Sequence, residues 1–266
     1  KPHSKIPVVS DWPNQGKYLD EVISANGNLG LILGSTSGIL DIDLDCREAK
    51  LLADIILPVP HAVFDRGSTD SGHYLYKASS FGPRKAFNAD GTKSALVELR
   101  GDGSLTMIPP SMHTNGSPLI FKAFNGEEVK VKYVALLRSV SMLAACSEIT
   151  RNWREGHRHD LALAFAGLCL KQDVEHNLVT QIVQRICDIN GDLEVDDRLN
   201  AIRTSYAQPA DSLLGYKGLV DCLGQSKAKR IADRIAAYSG KQFSSDIVSM
   251  ESIKGDIINF GQFSDK

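Results

Sequence analysis

The 266-residue chain contains no run of 18 or more apolar residues, and its opening stretch, residues 1–7, carries no apolar signal core. Neither a membrane span nor a secretory route is therefore expected. Cysteine is scarce and unpaired in pattern: Cys46, Cys146, Cys169, Cys187 and Cys222 are widely spaced, with no Cys-x-x-Cys. That argues against a disulfide framework and against structural zinc, and it reads as free core thiols in a cytoplasmic protein. The chain also lacks a basic excess, its net charge being −2, whereas nucleic-acid binders commonly leave a basic footprint. Clusters matter more than the sum, since Arg151, Arg154 and Arg158, and later Lys227, Lys229, Arg230 and Arg234, are locally grouped. No internal repeat or low-complexity tract is visible. With 42% apolar and 23% charged residues, the chain can fold as one large domain or two modest ones, and two are expected.

What is present is an acidic strand. From Gly38 to Asp45 the sequence reads Gly-Ile-Leu-Asp-Ile-Asp-Leu-Asp, with a carboxylate at every second residue from Asp41. Side chains alternate faces along a strand, so Asp41, Asp43 and Asp45 point one way and the branched apolar residues serve the other. Like charges held in a row on a buried strand are costly unless a divalent cation, basic partners or water compensates them. A solvated edge strand is the plainer alternative.

Around this strand the first half alternates short apolar runs with turns. Residues 1–28 are polar and proline-punctuated, with one short helix expected at 18–25. Leu29–Leu33 is expected to form a hairpin with the acidic strand through Gly34–Gly38. Leu51, Leu52, Ile55 and Ile56 predict a helix over 46–57, stopped by Pro58 and Pro60. Further strands are expected at 62–64, 73–76, 95–100, 105–108 (as hairpin partner of 95–100) and 119–121, with 78–92 a loop carrying Arg84 and Lys85 and followed by Lys93. Beyond Gly126 glycine and proline thin out, and 128–148, 158–171, 174–188, 194–206, 212–223 and 226–238 all allow helices. Leu161, Ala164, Phe165 and Leu168, and Val179, Ile182, Val183 and Ile186, form apolar stripes that predict bundle cores. The expected organisation is an α+β domain over 1–126, a connecting helix over 127–150, an all-α bundle over 151–240 and a tail or linker over 241–266.

Other strands offer groups that fit the acids. Glu98 lies between Val97 and Leu99, with Arg100 two residues on and so on its side; His73 follows Ser71-Gly72 at a strand start. Acids on two strands beside a Ser-x-His suggest an oxygen-rich site for Mg²⁺ or Mn²⁺ with a phosphate-binding neighbour. Two such ions can activate an attacking hydroxyl and stabilise a leaving oxygen in phosphoryl displacement.

The order Asn28-Leu29-Gly30, Gly34, Ser37-Gly38, Asp43-Leu44-Asp45, Ser71-Gly72-His73, Glu98-Leu99-Arg100-Gly101-Asp102-Gly103, Pro109-Pro110-Ser111, His113 and Gly116 resembles the primase-polymerase (prim-pol) domain of the archaeo-eukaryotic primase superfamily, in its plasmid and phage replication form. Lys5-Ile6-Pro7 with Trp12 is similar to the lead-in of that group, and the resemblance covers about residues 4–122. It implies a mixed or antiparallel sheet related to the RNA-recognition fold, and a DNA-directed primase/polymerase that makes and extends primers from nucleoside triphosphates on single-stranded template DNA. A replicative helicase is a further partner it suggests. Carried over, Asp43, Asp45 and Glu98 are the catalytic metal ligands, with Glu98 where the family often has aspartate. The pair could instead be Asp41 and Asp43; Asp43 and Asp45 are preferred because Gly38 then stands five residues before the first ligand. Ser71 and His73 match the motif that contacts the triphosphate, and Arg100, Ser111 and His113 would lie near nucleotide or primer phosphates. Gly156-His157-Arg158-His159-Asp160 and the helix after it resemble the small helical domain that follows many such catalytic domains, making Arg151, Arg154 and Arg158 candidates for DNA contact.

Two other functions compete. A haloacid-dehalogenase-like phosphatase would use Asp-x-Asp at a strand end, but Cys46 and Arg47 fit its pattern poorly and Asp196-Asp197 lies in the helical half. A catalytically degenerate replication-initiation protein would bind duplex DNA through its helices without metal-dependent nucleotide binding.

Overall fold

The structure, a computed structural model, describes residues 11–12, 27–67, 71–89, 95–126 and 129–243. The expected helix at 18–25, residues 5–7 of the lead-in, Lys93 and most of the tail lie outside the described residues. The first half forms β1 (Leu29–Ile32), β2 (Ile39–Leu44), α1 (Arg47–Ile56), β3 (Ala62–Asp65), β4 (Gly72–Lys77), β5 (Lys85–Asn88), β6 (Ala95–Arg100), β7 (Leu105–Ile108) and β8 (Ile120–Phe124). The second half is helical: α2 (Tyr133–Arg151), α3 (Arg158–Lys171), α4 (His176–Asn190), α5 (Val195–Tyr206), α6 (Tyr216–Leu223) and α7 (Gln225–Tyr238). The protein is α+β.

Six strands form one sheet in the order β5-β6-β2-β4-β3-β8, and β1 pairs with β7 in a separate two-stranded sheet. Every one of these strand pairings is antiparallel. The acidic strand β2 is thus interior, flanked by β6 and β4, and is no solvated edge. Leu40, Ile42 and Leu44 are fully buried, and their side of the sheet shares one apolar cluster with the helices.

Two expected hairpins do not form. Between residues 29–33 and β2 only one bridge survives, Gly34↔Ile39. Gly34 has a φ of +84°, and a Cβ there would lie 2.2 Å from Asp102 Oδ1. The chain turns away at this close approach, and β1 finds four partners on β7, from Leu29↔Ile108 to Ile32↔Leu105. Asn28 lengthens that ladder, its Oδ1 accepting from Met112 N–H at 2.9 Å. β7 in turn is not the partner of β6. At the turn between them, Gly101 packs beneath the Gly82 carbonyl, 2.2 Å from where a Cβ would be, and β6 pairs instead with β5 and β2. The expected loop at 78–92 contains β5, in which only Phe87 is buried. One inward residue gives no alternation to detect.

The helices cover the rear of the sheet. α1 presents Ala49, Leu52, Ala53 and Ile56 inward at helical spacing. α2 is long and apolar enough to cross a membrane by length and composition, yet 72% of its apolar window is buried inside the protein; it is a core helix. One contiguous apolar cluster runs from Leu40, Ile42 and Leu44 through Leu143 to Phe165, Ile182 and Ile235, so packing crosses the change in sequence character near residue 126. Both apolar stripes read from the sequence lie in it. All five cysteines are free thiols, with Cys222 half-buried and the others buried.

Glu148 on α2 fastens the last helix. Its carboxylate accepts from Arg230 Nη2 at 2.8 Å and Arg234 Nη1 at 2.9 Å, while Arg234 Nη2 donates to the Asn88 carbonyl of β5 at 2.7 Å. The basic cluster at 227–234 is therefore largely committed to internal pairs, including Lys229–Asp233. Glu148→Ala would leave the Arg234 charge buried and unpaired, and we expect it to cost about 3–5 kcal/mol in urea denaturation monitored by circular dichroism.

Candidate functional site

The register of the sheet assembles the site. Asp43 of β2 stands opposite Glu98 of β6 on one side and His73 of β4 on the other, and His73 stands opposite Phe64 of β3. Directly opposed residues in an antiparallel sheet share a face, so Glu98, Asp43, His73 and Phe64 form a row across four strands. Asp45 follows the strand end; its N–H donates to the Leu96 carbonyl at 3.1 Å, which keeps it in line with β6. One carboxylate oxygen from each of Asp43, Asp45 and Glu98 lies within 4.8 Å of the others.

Asp41 is placed differently. Its side chain has no exposure and accepts from His73 Nδ1 at 3.0 Å, below the group formed by the other three acids. Arg100, its cross-strand neighbour, reaches over to ion-pair with Asp43 and donates from Nε to Glu98 Oε2 at 3.0 Å. Arg84, from the turn before β5, also clasps Glu98, with Nε at 3.0 Å from Oε2 and a second bond from Nη2 to Oε1.

These contacts decide the charge states. Burial works to raise Asp41, but the charge and hydrogen bond of His73 and the charge of Arg100 outweigh it and hold the carboxyl low. Burial dominates at Asp43 and pushes it up despite His73 and Arg100. Asp45 is pushed up to about 6, first by desolvation and then by the charges of Asp43 and Glu98. Glu98 is lowered: burial opposes this, but the Arg84 hydrogen bond and the Arg100 charge prevail. A divalent cation among Asp43, Asp45 and Glu98 would reverse the repulsion that raises Asp45. The all-oxygen donor set fits Mg²⁺ or Mn²⁺, and exposed Asp45 leaves the group open to solvent on one side.

The Ser-x-His turn and His113 meet the same cleft, lined by Asp43, Asp45, Asp65, Arg66, Ser71, His73, Arg100, Thr106 and His113 among others. Arg66 bridges the two, its Nη2 donating to Ser71 Oγ at 2.9 Å and its Nη1 lying 3.4 Å from His113 Nε2. Lys50 of α1 braces the turn by donating to Asp65 Oδ2 at 3.0 Å and to the Ser71 carbonyl at 3.1 Å. A second hollow beyond Asp45 is lined by Arg47, Glu48, Arg66, Ser71 and Arg151.

Ser111, expected near phosphates, does not line the cleft. It is 3% exposed, accepts from Leu29 N–H at 2.7 Å and is 3.3 Å from the Leu29 carbonyl, so it secures β1. Among the arginines expected to touch DNA, Arg151 borders the site and pairs with Glu48. Arg154 is exposed, and Arg158 pairs with Asp192, whose side chain is buried in the helical half and also takes bonds from Trp153 and Arg198. Asp197 is bonded there by His159 and Arg198, apart from the acidic strand. Arg66 and Lys50 were not singled out from the sequence, and Arg84 was noted only as part of a loop. Each acts from a loop or helix, where strand alternation carries no information about which side chain reaches the acids.

The fold and the site define an α+β protein with a carboxylate triad able to hold a divalent cation beside a basic, hydroxyl-bearing cleft. Residues 1–128 match the family model of the bifunctional DNA primase/polymerase N-terminal domain. That match is consistent with the prim-pol domain of the archaeo-eukaryotic primase superfamily. The comparisons with curated proteins and with solved structures gave no match.

Because Asp45 titrates near 6 in the folded state, above the ordinary carboxylate value, the cation-free fold gains a proton the unfolded chain lacks as pH falls towards 6, and this site's repulsion is relieved. We expect Asp45→Asn to melt higher than wild type at pH 7.5 without divalent cation, with the gap narrowing by pH 5. Adding Mn²⁺ at pH 7.5 should raise the wild-type melting temperature more than that of the variant, as read by scanning fluorimetry.

Proposed function

We propose that this protein is a DNA-directed primase/polymerase that synthesises and extends primers from nucleoside triphosphates. The observation that carries the reading is convergence: acids from two strands cluster at a cleft that the Ser-x-His turn also lines, in a chain whose residues 1–128 match the prim-pol family. Asp43, Asp45 and Glu98 would hold Mg²⁺ or Mn²⁺. When bound, the cation supplies activation of the attacking hydroxyl and neutralises charge at the reacting phosphate.

The chain's own residues supply position. Ser71, Arg66 and His73 offer donors to triphosphate oxygens on the side of the acids towards α1, and Arg66 already bridges Ser71 and His113. Lys50 fixes the backbone of that turn, so the donors are held ready before nucleotide arrives. Arg100 and Arg84 neutralise Asp43 and Glu98, and their guanidinium groups would stand beside the phosphate oxygens of a nucleotide bound at these acids. Single-stranded template, primer and nucleoside triphosphate are the partners of this reading, and Arg151 with Arg47 borders a hollow that suits a phosphate of any of them.

The test is incorporation of labelled nucleotide on single-stranded circular DNA, with and without primer, in Mg²⁺ and in Mn²⁺. Removing an acid forfeits on the order of 4 kcal/mol of transition-state stabilisation, a loss of roughly 10³-fold. Asp43→Ala and Asp45→Ala should therefore abolish incorporation while remaining folded by circular dichroism. Folded variants that incorporate at the wild-type rate would exclude this reading. Duplex affinity that survives chelation, with no nucleotide binding, would favour a degenerate initiator instead.

A further inference from the structure

We infer that Asp41 is a positioning residue for His73, holding the ring so that its Nε2 faces the cation-binding acids and the cleft. This rests on the reading given above. Three contacts carry it. His73 Nδ1 lies 3.0 Å from Asp41 Oδ2 and 3.3 Å from Oδ1, so the ring donates from its inner nitrogen to a carboxylate. Phe64 stacks on the ring at 4.5 Å between centroids and 8° between planes, which fixes its tilt. The outer nitrogen, Nε2, is then left 3.6 Å from Asp43 Oδ1, directed at the cleft that His73 lines.

Asp41 itself has no route to that cleft. Its side chain is fully buried, it is not among the three acids whose oxygens cluster, and it does not line the cleft. A carboxylate buried on a central strand is costly unless a partner uses it. Here the partner is a histidine whose free edge points at the reacting groups. An imidazole has two ring nitrogens, and the hydrogen bond made by one sets what the other presents. Loss of such a carboxylate partner from a functional histidine typically costs 10- to 100-fold in the affinity or activity the histidine serves, on the order seen for outer-shell partners of ligating histidines. The regular spacing of Asp41, Asp43 and Asp45 therefore conceals two jobs, with the first acid serving the histidine of the next strand and the other two serving the cation.

The decisive comparison is Asp41→Asn against Asp41→Leu. Asparagine keeps an oxygen that accepts from Nδ1–H, whereas leucine fills the space without an acceptor. With equilibrium binding of a fluorescent nucleoside triphosphate in Mn²⁺, we expect Asp41→Leu to weaken binding about tenfold and Asp41→Asn to stay within about threefold of wild type. In primer extension the loss should appear in KM for nucleotide, with kcat within about twofold. Combining Asp41→Leu with His73→Ala should weaken binding no further than His73→Ala alone. Mn²⁺ binding, followed by the electron-spin resonance of the free ion without nucleotide, should be unchanged by Asp41→Leu.

Equal nucleotide binding by wild type and folded Asp41→Leu overturns the assignment, as does an Asp41→Asn defect as large as that of leucine. Loss of Mn²⁺ binding would make Asp41 a cation ligand instead. Should Asp41→Leu not fold, the wild type still decides: a His73 Nδ1–H proton resonance, assigned by its disappearance in His73→Gln, must be present downfield and slow to exchange, and its absence overturns the proposal. A wild type that binds Mn²⁺ but no nucleoside triphosphate would refute the proposed function itself, a result distinct from any of these, and this assignment would fall with it.

Discussion

The constraint on which the rest depends is the gathering of like charge on a buried strand. β2 brings Asp41 and Asp43 into the middle of a six-stranded sheet, and β6 adds Glu98 beside them. In a low-dielectric interior such a group destabilises the fold unless opposite charge is built around it. The protein supplies that charge from three directions: Arg100 along β6, His73 across β4 and Arg84 from the turn that leads into β5. Asp45, at the strand end and open to water, is the one acid of the row without a basic side chain bonded to it among these pairs. It is there that an added cation gains most.

Much of this was legible in the sequence, for a definite reason. A two-residue period of acids alternating with Leu40, Ile42 and Leu44 can be satisfied by only one backbone geometry, and Glu98 with Arg100 repeats the period on a second strand. The apolar stripes of α3 and α4 were equally plain, because a helix buried on one side leaves a 3.6-residue signature. Strand partners were not legible. β1 and β7 each look like half of a local hairpin, and what joins them to each other is close packing at Gly34 and Gly101, which depends on atoms far away in the chain. Ser111 showed the same limit: the resemblance placed it near phosphates, and what its side chain bonds in space is the backbone of Leu29.

The β1–β7 pair has its own part in the site. Leu31, Met107 and Ile108 pack on a small cluster made by Ala62, Phe64, Leu75 and Leu119, on the sheet face opposite the helices. Leu105, Thr106 and Met107 then form a wall of the cleft that holds the acids. The failed hairpins are thus what gives the sheet a second layer on its acidic side. Had β1 paired with β2 and β7 with β6, that face would have lost the layer that now forms a wall of its cleft.

The bond from Arg234 to the Asn88 carbonyl links the last helix to the edge strand whose leading turn delivers Arg84 to Glu98. Together with the shared apolar cluster, it means the family-matched segment does not own all of its packing. A chain severed after residue 128 would lay bare Leu40, Ile42, Leu44 and the inner side of α1, and it would release the free edge of β5. The seam between the two halves of the sequence is therefore a poor place to cut.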